Sequence, residues 1–301
     1  MKIIDPHLHL FDLNQGNYQW LRAENPPFWS DKHLIAKNFS EHDLTLTSPL
    51  ILAGFVHIEA GFDNQQPWRE IAWLENTCNM PFRSIAMLDI TLPKLKFLQQ
   101  VDKLMSYQSV VGIRYILDDD TLAILNDKNS QDNLVILAEK ELIFELQMPL
   151  ANHQAVDSLL NILSVTPRLK LCINHAGWPT QDKVQQAHWL KNLKRLANFD
   201  NIFIKCSGFE ITDRAYSVNW RYKIIRQCID IFGVERVMLA SNFPLCLWHA
   251  SYQETWLANT QGMSTELIKT ALIKKESEFA YNTEQLQQLC FSNAQRFYKF
   301  L

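Results

Sequence analysis

The chain has 301 residues, of which 47% are hydrophobic, and its formal net charge is −3. This length fits one large domain or two medium ones, and the lack of a basic block argues against a nucleic-acid partner. The six cysteines show no CxxC spacing, the first residues do not resemble a signal peptide, and no apolar run approaches the ~18–20 residues that span a bilayer. We therefore expect a cytoplasmic protein with free thiols that binds neither nucleic acid nor membrane.

The first predicted strand starts at Lys2 and ends in His7-Leu8-His9. Because strand side chains alternate between faces, His7 and His9 are expected on the same side, about 7 Å apart along the strand. Imidazole is both the commonest metal ligand and the side chain best suited to proton transfer near neutral pH. The pair indicates a candidate site, although two histidines at a strand exit can also simply hydrogen-bond to nearby backbone.

A long aromatic and polar stretch follows at residues 11–48, with little helical periodicity. Connections of this length are often lids or binding segments. Its aromatic residues are expected either to line a pocket or to cover one end of the fold.

From residue 49 onward, short apolar runs alternate with segments of helical periodicity. The predicted strands after the first are 49–58, 83–89, 110–114, 142–148, 169–175, 202–206 and 236–241. The predicted helices are 67–76, 93–106, 131–140, 155–163, 189–198, 220–232 and 283–298, and the predicted surface loops are 248–263 and 274–283. About eight β/α units in roughly 250 residues favour a TIM (β/α)8 barrel. An open doubly wound sheet is the competitor, but no Gly-x-Gly-x-x-Gly follows any strand.

In a TIM barrel the carboxyl ends of the strands form the active face. Those ends carry a series of ionisable and amide side chains: His7, His9, His57, Glu59, Asp89, Arg114, Gln147, His175, Lys205 and Asn242. This concentration on one predicted face favours a functional site. His175 would reach a cavity shared with His7 and His9, and three imidazoles would suit zinc or another divalent ion with water completing the shell.

Two cations in this series have alternative roles. The guanidinium of Arg114 suits a substrate carboxylate, or it forms a salt bridge with Asp118 or another loop acid. Lys205 either orients a substrate or pairs with Glu145 or Asp89 inside the barrel. The remaining histidines are two candidates for substrate contact after the fifth and eighth strands, His153 and His249, and three predicted surface groups, His33, His42 and His188.

Several motifs occur in order along nearly the whole chain. They are Ile4-Asp5-Pro6-His7-Leu8-His9, Gln19-Trp20-Leu21, Gly112-Ile113-Arg114, Asn174-His175-Ala176-Gly177-Trp178-Pro179, Lys205-Cys206-Ser207-Gly208, Phe232-Gly233-Val234-Glu235-Arg236-Val237-Met238-Leu239-Ala240-Ser241-Asn242-Phe243-Pro244 and Asn293-Ala294-Gln295-Arg296-Phe297-Tyr298. In these motifs the chain resembles the amidohydrolase superfamily. The resemblance is to its amidohydrolase-related (amidohydrolase 2) branch, which contains lactonases such as fuconolactonase, rhamnonolactonase and pyrone dicarboxylate lactonase.

The resemblance implies a single (β/α)8 barrel domain over residues 1–301 that hydrolyses the lactone ring of a sugar acid or an aromatic-pathway intermediate. It implies that His7, His9 and His175 ligate a metal or polarise the substrate, and that Arg114 acts on an anionic or polyhydroxy substrate. Members of this branch differ in their need for metal, so one divalent ion (zinc or manganese) and a metal-free site are both open. The expected partner is a small-molecule substrate, and the sequence is compatible with a homo-oligomer.

The chain departs from this family at the last strand. The family pattern there is Gly-Ser-Asp-Trp-Pro, whose Asp acts as general base on water, whereas this chain has Asn242. An amide oxygen accepts a hydrogen bond from water but cannot take its proton, and general base catalysis is worth ~10²–10⁴-fold in rate. Either Glu59 or Asp89 serves as the base, or a histidine does, or the protein binds its ligand without hydrolysing it.

The leading hypothesis is therefore a lactone hydrolase, with a catalytically weakened binding protein and a metal-dependent decarboxylase as alternatives. The candidates for catalysis are His7, His9, His175, Asn242 and Glu59. The candidates for substrate binding are Arg114, His57, Gln147, Lys205, His153 and His249.

Overall fold

The computed structural model describes residues 1–263 and 281–300. Within them, eight parallel strands follow one another in chain order around one sheet. They are β1 (Lys2–Leu8), β2 (Ile51–Ile58), β3 (Phe82–Met87), β4 (Val110–Ile116), β5 (Ile143–Gln147), β6 (Leu171–Ile173), β7 (Ile202–Cys206) and β8 (Val237–Leu239). The N–H of His9 donates to the carbonyl of Phe243 at 2.7 Å, which joins the segment after β8 to the end of β1 and nearly closes the ring. The predicted TIM (β/α)8 barrel is confirmed.

Helices cover the outside of the barrel. They are α1 (Trp68–Thr77), α2 (Lys94–Leu104), α3 (Thr121–Asn126), α4 (Lys128–Glu139), α5 (His153–Val165), α6 (Lys183–Leu196), α7 (Phe209–Thr212), α8 (Val218–Phe232), α9 (Tyr252–Thr260), α10 (Thr283–Gln287) and α11 (Asn293–Phe297), the last two joined by a π-helical turn. At the start of α4, Asp127 accepts a hydrogen bond from the N–H of Ser130 at 3.0 Å, which satisfies a donor that a helix start leaves unpaired. None of the helices in residues 1–263 and 281–300 combines the length and the apolar character needed to cross a membrane.

The apolar core has a larger part between strands and helices and a smaller part inside the barrel. The interior part includes Ile4, Val56, Ile58, Ile85, Ile143, Cys172 and Met238, with Phe297 and Tyr298 packed against them. Because alternate strand residues share a face, Ile143, Glu145 and Gln147 of β5 all point inward, and the barrel interior changes from apolar to polar toward the carboxyl ends. The six cysteines are free thiols, as predicted, and five of them are buried.

An irregularity in β1 turns its histidines inward. Ile4 packs inside the barrel, so strict alternation would point His7 outward. The pairing of β1 with β2 shifts between Asp5 and Leu8, where Pro6 has no N–H to donate to the ladder. This shift reverses the alternation and brings His7 to the interior.

Some elements differ from the sequence prediction. The short helices α3 and α7 are additional, and the predicted loop 248–263 is wrong, because it contains α9 with Tyr252 and Trp256 buried. The strand predicted at 169–175 ends at Ile173, since His175 and Ala176 have φ angles of 51° and 52°, which a strand does not contain. Residues 274–280 of the last predicted loop lie outside the described residues.

Residues 11–48 contain three short 3₁₀ turns and otherwise irregular backbone. Phe11, Tyr18 and Phe39 of this segment are buried in the larger core. Trp20 and Trp29 instead line a cavity at the carboxyl ends of the strands. The segment therefore has both of the roles that the sequence left open.

Candidate active site

Three imidazole rings meet at the carboxyl-terminal mouth of the barrel. The ring centroid of His7 lies 5.2 Å from that of His9 and 4.6 Å from that of His175. His7 belongs to β1, His9 follows that strand, and His175 lies in the turn after β6. All three are buried. The structure thus brings together the three histidines that the sequence singled out.

Hydrogen-bond partners at the Nδ1 atoms orient two of these rings. His9 Nδ1 lies 2.8 Å from the carbonyl oxygen of Ile58. A carbonyl only accepts, so Nδ1 carries the proton and the lone pair is on Nε2. His175 Nδ1 lies 3.1 Å from the hydroxyl of Ser207. Gly208 fits beside this ring because a Cβ at that position would lie 2.3 Å from His175 Nδ1.

The third ring, His7, faces a buried ion pair. The ammonium of Lys205 lies 3.5 Å from His7 Nδ1 and 2.7 Å from Oε2 of Glu145, whose other oxygen accepts from the hydroxyl of Tyr298 at 2.5 Å. The predicted pairing of Lys205 with Glu145 is therefore present. The predicted substrate contact of Lys205 is corrected, because its side chain is fully enclosed in the barrel interior and does not line the cavity.

Burial keeps the three imidazoles neutral. It lowers the pKa of His7, His9 and His175 well below the ordinary value, since a charged ring would lose its hydration. The positive charge of Arg114 lowers all three pKa values further, and that of Lys205 lowers those of His7 and His175. At neutral pH each ring therefore has one donor and one acceptor nitrogen.

Arg114 is held by two neighbouring side chains. Its Nε donates to Oε1 of Glu59 at 2.7 Å, and its two terminal nitrogens donate to Oε1 of Gln147 at 2.9 Å and to the carbonyl of Glu59 at 2.8 Å. The salt bridge that the sequence left open is thus formed with Glu59. These bonds use three of the five N–H groups of the guanidinium.

A cavity of about 630 Å³ lies at this mouth. Its polar lining residues are His9, Glu59, Asn64, Arg114, Asp118, Gln147, His175 and Asn242. Its apolar lining residues include Trp20, Pro26, Pro27, Trp29, Ile116, Trp178, Ile211 and Leu245. A concave, largely apolar site with a few convergent polar groups is typical of small-molecule binding.

Asn242 contacts a buried acid that the sequence analysis missed. Its Nδ2 donates to Oε1 of Glu210 at 2.6 Å. Glu210 lies in α7 and is almost fully buried, and burial raises its pKa to about 7. The expectation that site residues lie at the strand ends does not reach Glu210, which lies four residues beyond the end of β7. An acid soon after the Ser207-Gly208 turn was the available signal.

Four other candidates lie away from the cavity. His57 is on the helix-facing side of β2, because Val56 and Ile58 face inward, and its ring nitrogens contact Glu70 at 3.0 Å and the N–H of Leu10 at 3.2 Å. The other three form hydrogen bonds with groups outside the cavity lining. His153 contacts Asn192, His249 contacts the carbonyl of Arg214, and Asp89 accepts from the hydroxyl of Thr91. The predicted substrate contacts of His57, His153 and His249 and the predicted base role of Asp89 are corrected accordingly. His33, His42 and His188 are exposed, as predicted.

Comparison with known proteins agrees with this geometry. The family model described as Amidohydrolase (Amidohydro_2) matches residues 4–300. The chain belongs to the amidohydrolase family. This amidohydrolase is 29% identical over 274 residues to the uncharacterized protein y4mH of Sinorhizobium fredii, covering 85% of this chain and 89% of that protein.

Two further similarities bear on the branch and the fold. An L-fucono-1,5-lactonase of Burkholderia multivorans is 25% identical over 283 residues, covering 83% of this amidohydrolase and 85% of that enzyme. A crystal structure of an amidohydrolase from Burkholderia multivorans with bound zinc superposes with a TM-score of 0.77 at 18% identity, covering 100% of both chains. The resemblance to the lactonase branch is therefore supported.

The zinc-bound neighbour raises the question of whether the residues of this amidohydrolase fit a metal. Among residues 1–263 and 281–300, no group of three or more histidine, cysteine, aspartate or glutamate side chains is arranged to hold a metal ion. The Lys205 ammonium faces His7 Nδ1, which leaves the ring proton on Nε2, whereas a ligand needs a lone pair there. Asn242 adds no negative charge. This donor set does not fit a tightly held divalent ion.

Proposed function

We propose that this amidohydrolase adds water to the ring carbonyl of a lactone and opens the ring. The main support is the cluster of neutral imidazoles beside Arg114 at one cavity. This arrangement places proton acceptors and hydrogen-bond donors around one small volume, as acyl transfer to water requires. The similarity to an L-fucono-1,5-lactonase supports the same reaction class.

His9 is the proposed general base. Its Nδ1–H donates to the carbonyl of Ile58, and the ring with its Nε2 lone pair lines the cavity. As the water oxygen bonds to the carbonyl carbon, Nε2 takes one water proton. When the intermediate collapses and the ring C–O bond breaks, that proton passes to the departing ring oxygen. Lactone and water thereby become one hydroxy acid.

Arg114 is the proposed donor to the developing oxyanion. Glu59 and Gln147 fix its guanidinium, and two N–H groups are left for the carbonyl oxygen. Donors that are already oriented toward a developing negative charge lower the barrier without reorganising. His7 Nε2 is buried and has no hydrogen-bond partner among the described residues, but His7 is not among the cavity-lining residues, so we assign it no contact with the substrate.

The charges of the lining favour a neutral, hydroxylated lactone such as that of a sugar acid. Of the described lining residues, Arg114 is the cation, and Glu59 and Asp118 are the carboxylates. Because Arg114 is paired with Glu59, a substrate with two carboxylates would meet no net positive charge. The lining also includes three tryptophans, Trp20, Trp29 and Trp178, which would pack against the apolar side of a sugar ring.

A lactone panel tests this proposal. Five- and six-membered sugar-acid lactones and a dicarboxylate pyrone lactone are incubated with the protein, with and without added zinc or manganese, and acid release is followed with a pH indicator. We expect turnover of one or more sugar-acid lactones without added metal. If no lactone is opened under any of these conditions, the proposal is wrong.

The replacement of the family Asp by Asn242 supports one second candidate, a protein that binds lactones without hydrolysing them. Calorimetric binding of a sugar-acid lactone that is recovered intact after prolonged incubation would identify it. Release of carbon dioxide from an aromatic acid would instead identify the decarboxylase alternative.

A further inference from the structure

The contact between Asn242 and Glu210 is buried on both sides. Asn242 is fully buried and Glu210 is 3% exposed. Asn242 lines the cavity, whereas Glu210 is not among its lining residues. Glu210 therefore does not line the cavity itself, but its carboxylate contacts the amide of the lining residue Asn242.

The carboxylate of Glu210 selects one of the two orientations of that amide. An ionised carboxylate only accepts hydrogen bonds, so the Nδ2 of Asn242 turns toward it, at 2.6 Å. The oxygen of the same amide, Oδ1, is buried and has no hydrogen-bond partner among the described residues. A buried acceptor without a partner is costly, and a water bound in the cavity would satisfy it.

We propose that Glu210 is a positioning residue that holds the amide oxygen of Asn242 toward the cavity, where it accepts a hydrogen bond from the attacking water. The role in catalysis rests on the proposed lactone hydrolysis, but the orientation of the amide does not. Asn242 orients the water, and the proton passes to His9. Asn242 and Glu210 thus take over the role of the family Asp in positioning the water, and the imidazole of His9 takes over its role in proton transfer.

Protonation of Glu210 would remove this selection. A protonated carboxyl has an O–H that donates and a carbonyl oxygen that still accepts, so it can pair with either orientation of the amide, and Oδ1 of Asn242 is no longer held toward the cavity. Burial raises the pKa of Glu210 to about 7. The groups that face it electrostatically are the cations Arg214 and Arg221, which lower this pKa, and the neutral Tyr216 and Cys246. The orientation is therefore fixed by Glu210 above about pH 7 and is no longer fixed by it below that pH.

The side-chain amide of Asn242 provides a test that needs no substrate. Its ¹⁵N resonance, assigned by its absence in Asn242→Ala, is followed in the full chain from pH 5.5 to 8.5. We expect a titration with a midpoint near pH 7 that disappears in Glu210→Gln. A pH-independent Asn242 amide in the wild-type protein overturns the proposal, and this result is readable even if Glu210→Gln fails to fold.

Kinetics give a second readout if a lactone is turned over. In Glu210→Gln we expect kcat to fall roughly ten- to a hundredfold, as when a partner that orients a site residue is removed. We expect little change in KM. We also expect the fall in kcat on the acid side of the pH profile, near pH 7, to disappear. The exchanged pair, Glu210→Gln with Asn242→Asp, restores a carboxylate beside an amide and should recover activity. An unchanged fall in kcat on the acid side in active Glu210→Gln contradicts the proposal, whereas absence of turnover in every variant contradicts only the proposed function.

Discussion

Arg114 and Glu59 form an ion pair at the barrel mouth, with 2.7 Å between Nε and Oε1. Their side chains are 5% and 6% exposed, so water does little to compensate either charge if the other is lost. The pair fixes the guanidinium and at the same time cancels its charge. The same contact therefore orients the guanidinium, two of whose N–H groups have no partner among the described residues, and supports the proposed preference for a neutral ligand.

Replacing Glu59 with Gln should change which ligands bind. Glu59→Gln keeps the size of the side chain and leaves the charge of Arg114 uncompensated, so a dicarboxylate lactone should inhibit at least about tenfold more strongly, a change of roughly 1.4 kcal/mol in binding free energy. Inhibition constants measured in parallel check this. The control is Asp157→Asn, which removes the half-exposed acid of the Arg195 ion pair away from the cavity. Equal inhibition of the wild type and Glu59→Gln would contradict the charge argument.

Replacing His9 with Gln should remove the general base. Because proton transfer by a positioned group contributes ~10²–10⁴-fold, kcat of His9→Gln should fall within that range. His153→Gln is the matched control, since His153 is exposed and contacts Asn192 outside the cavity lining. Steady-state kinetics on one lactone compare the two. Equal kcat values would show that another group accepts the proton.

Metal removal should leave the reaction unaffected. The ammonium of Lys205 at His7 Nδ1 and the neutral amide of Asn242 make a poor donor set for a divalent ion. We expect protein purified without chelator to hold well under one zinc or manganese per chain, and dialysis against a chelator to leave kcat unchanged. Metal analysis and turnover before and after dialysis check this. One ion per chain, lost together with activity, would refute it.

The ion pair inside the barrel should matter for stability. Lys205→Met leaves the buried carboxylate of Glu145 without its cation, which should cost about 3–5 kcal/mol of unfolding free energy in a urea titration. The double variant Lys205→Met with Glu145→Leu should lose less, because no unpaired charge is left. Lys128→Met is the control, since Lys128 pairs with Asp132 on an exposed helix face. Equal destabilisation by Lys205→Met and Lys128→Met would contradict this account.

Some of the site was predictable because it depends on local patterns. Apolar runs that alternate with amphipathic segments specify the β/α repeat, and strand ends in a barrel share one face. This is why the sequence alone identifies His7, His9 and His175 as neighbours at one face. The same rule misplaced His57. The face that His57 takes is set by the alternation along β2, in which its neighbours Val56 and Ile58 point inward, and not by its position near the strand end.

The sequence by itself determined the barrel, the amidohydrolase resemblance and part of the mouth, including His9, Arg114, His175 and Asn242. Only the tertiary structure decided their partners: Glu59 for Arg114 across 55 positions, Glu210 for Asn242 across 32, and Lys205 for His7 across 198. These contacts require atoms of distant segments to lie 2.6–3.5 Å apart. That depends on how the strands meet around the ring and, for His7, on the register shift at Pro6. Periodicity specifies which face a side chain takes, but it carries no information on which distant side chain lies opposite.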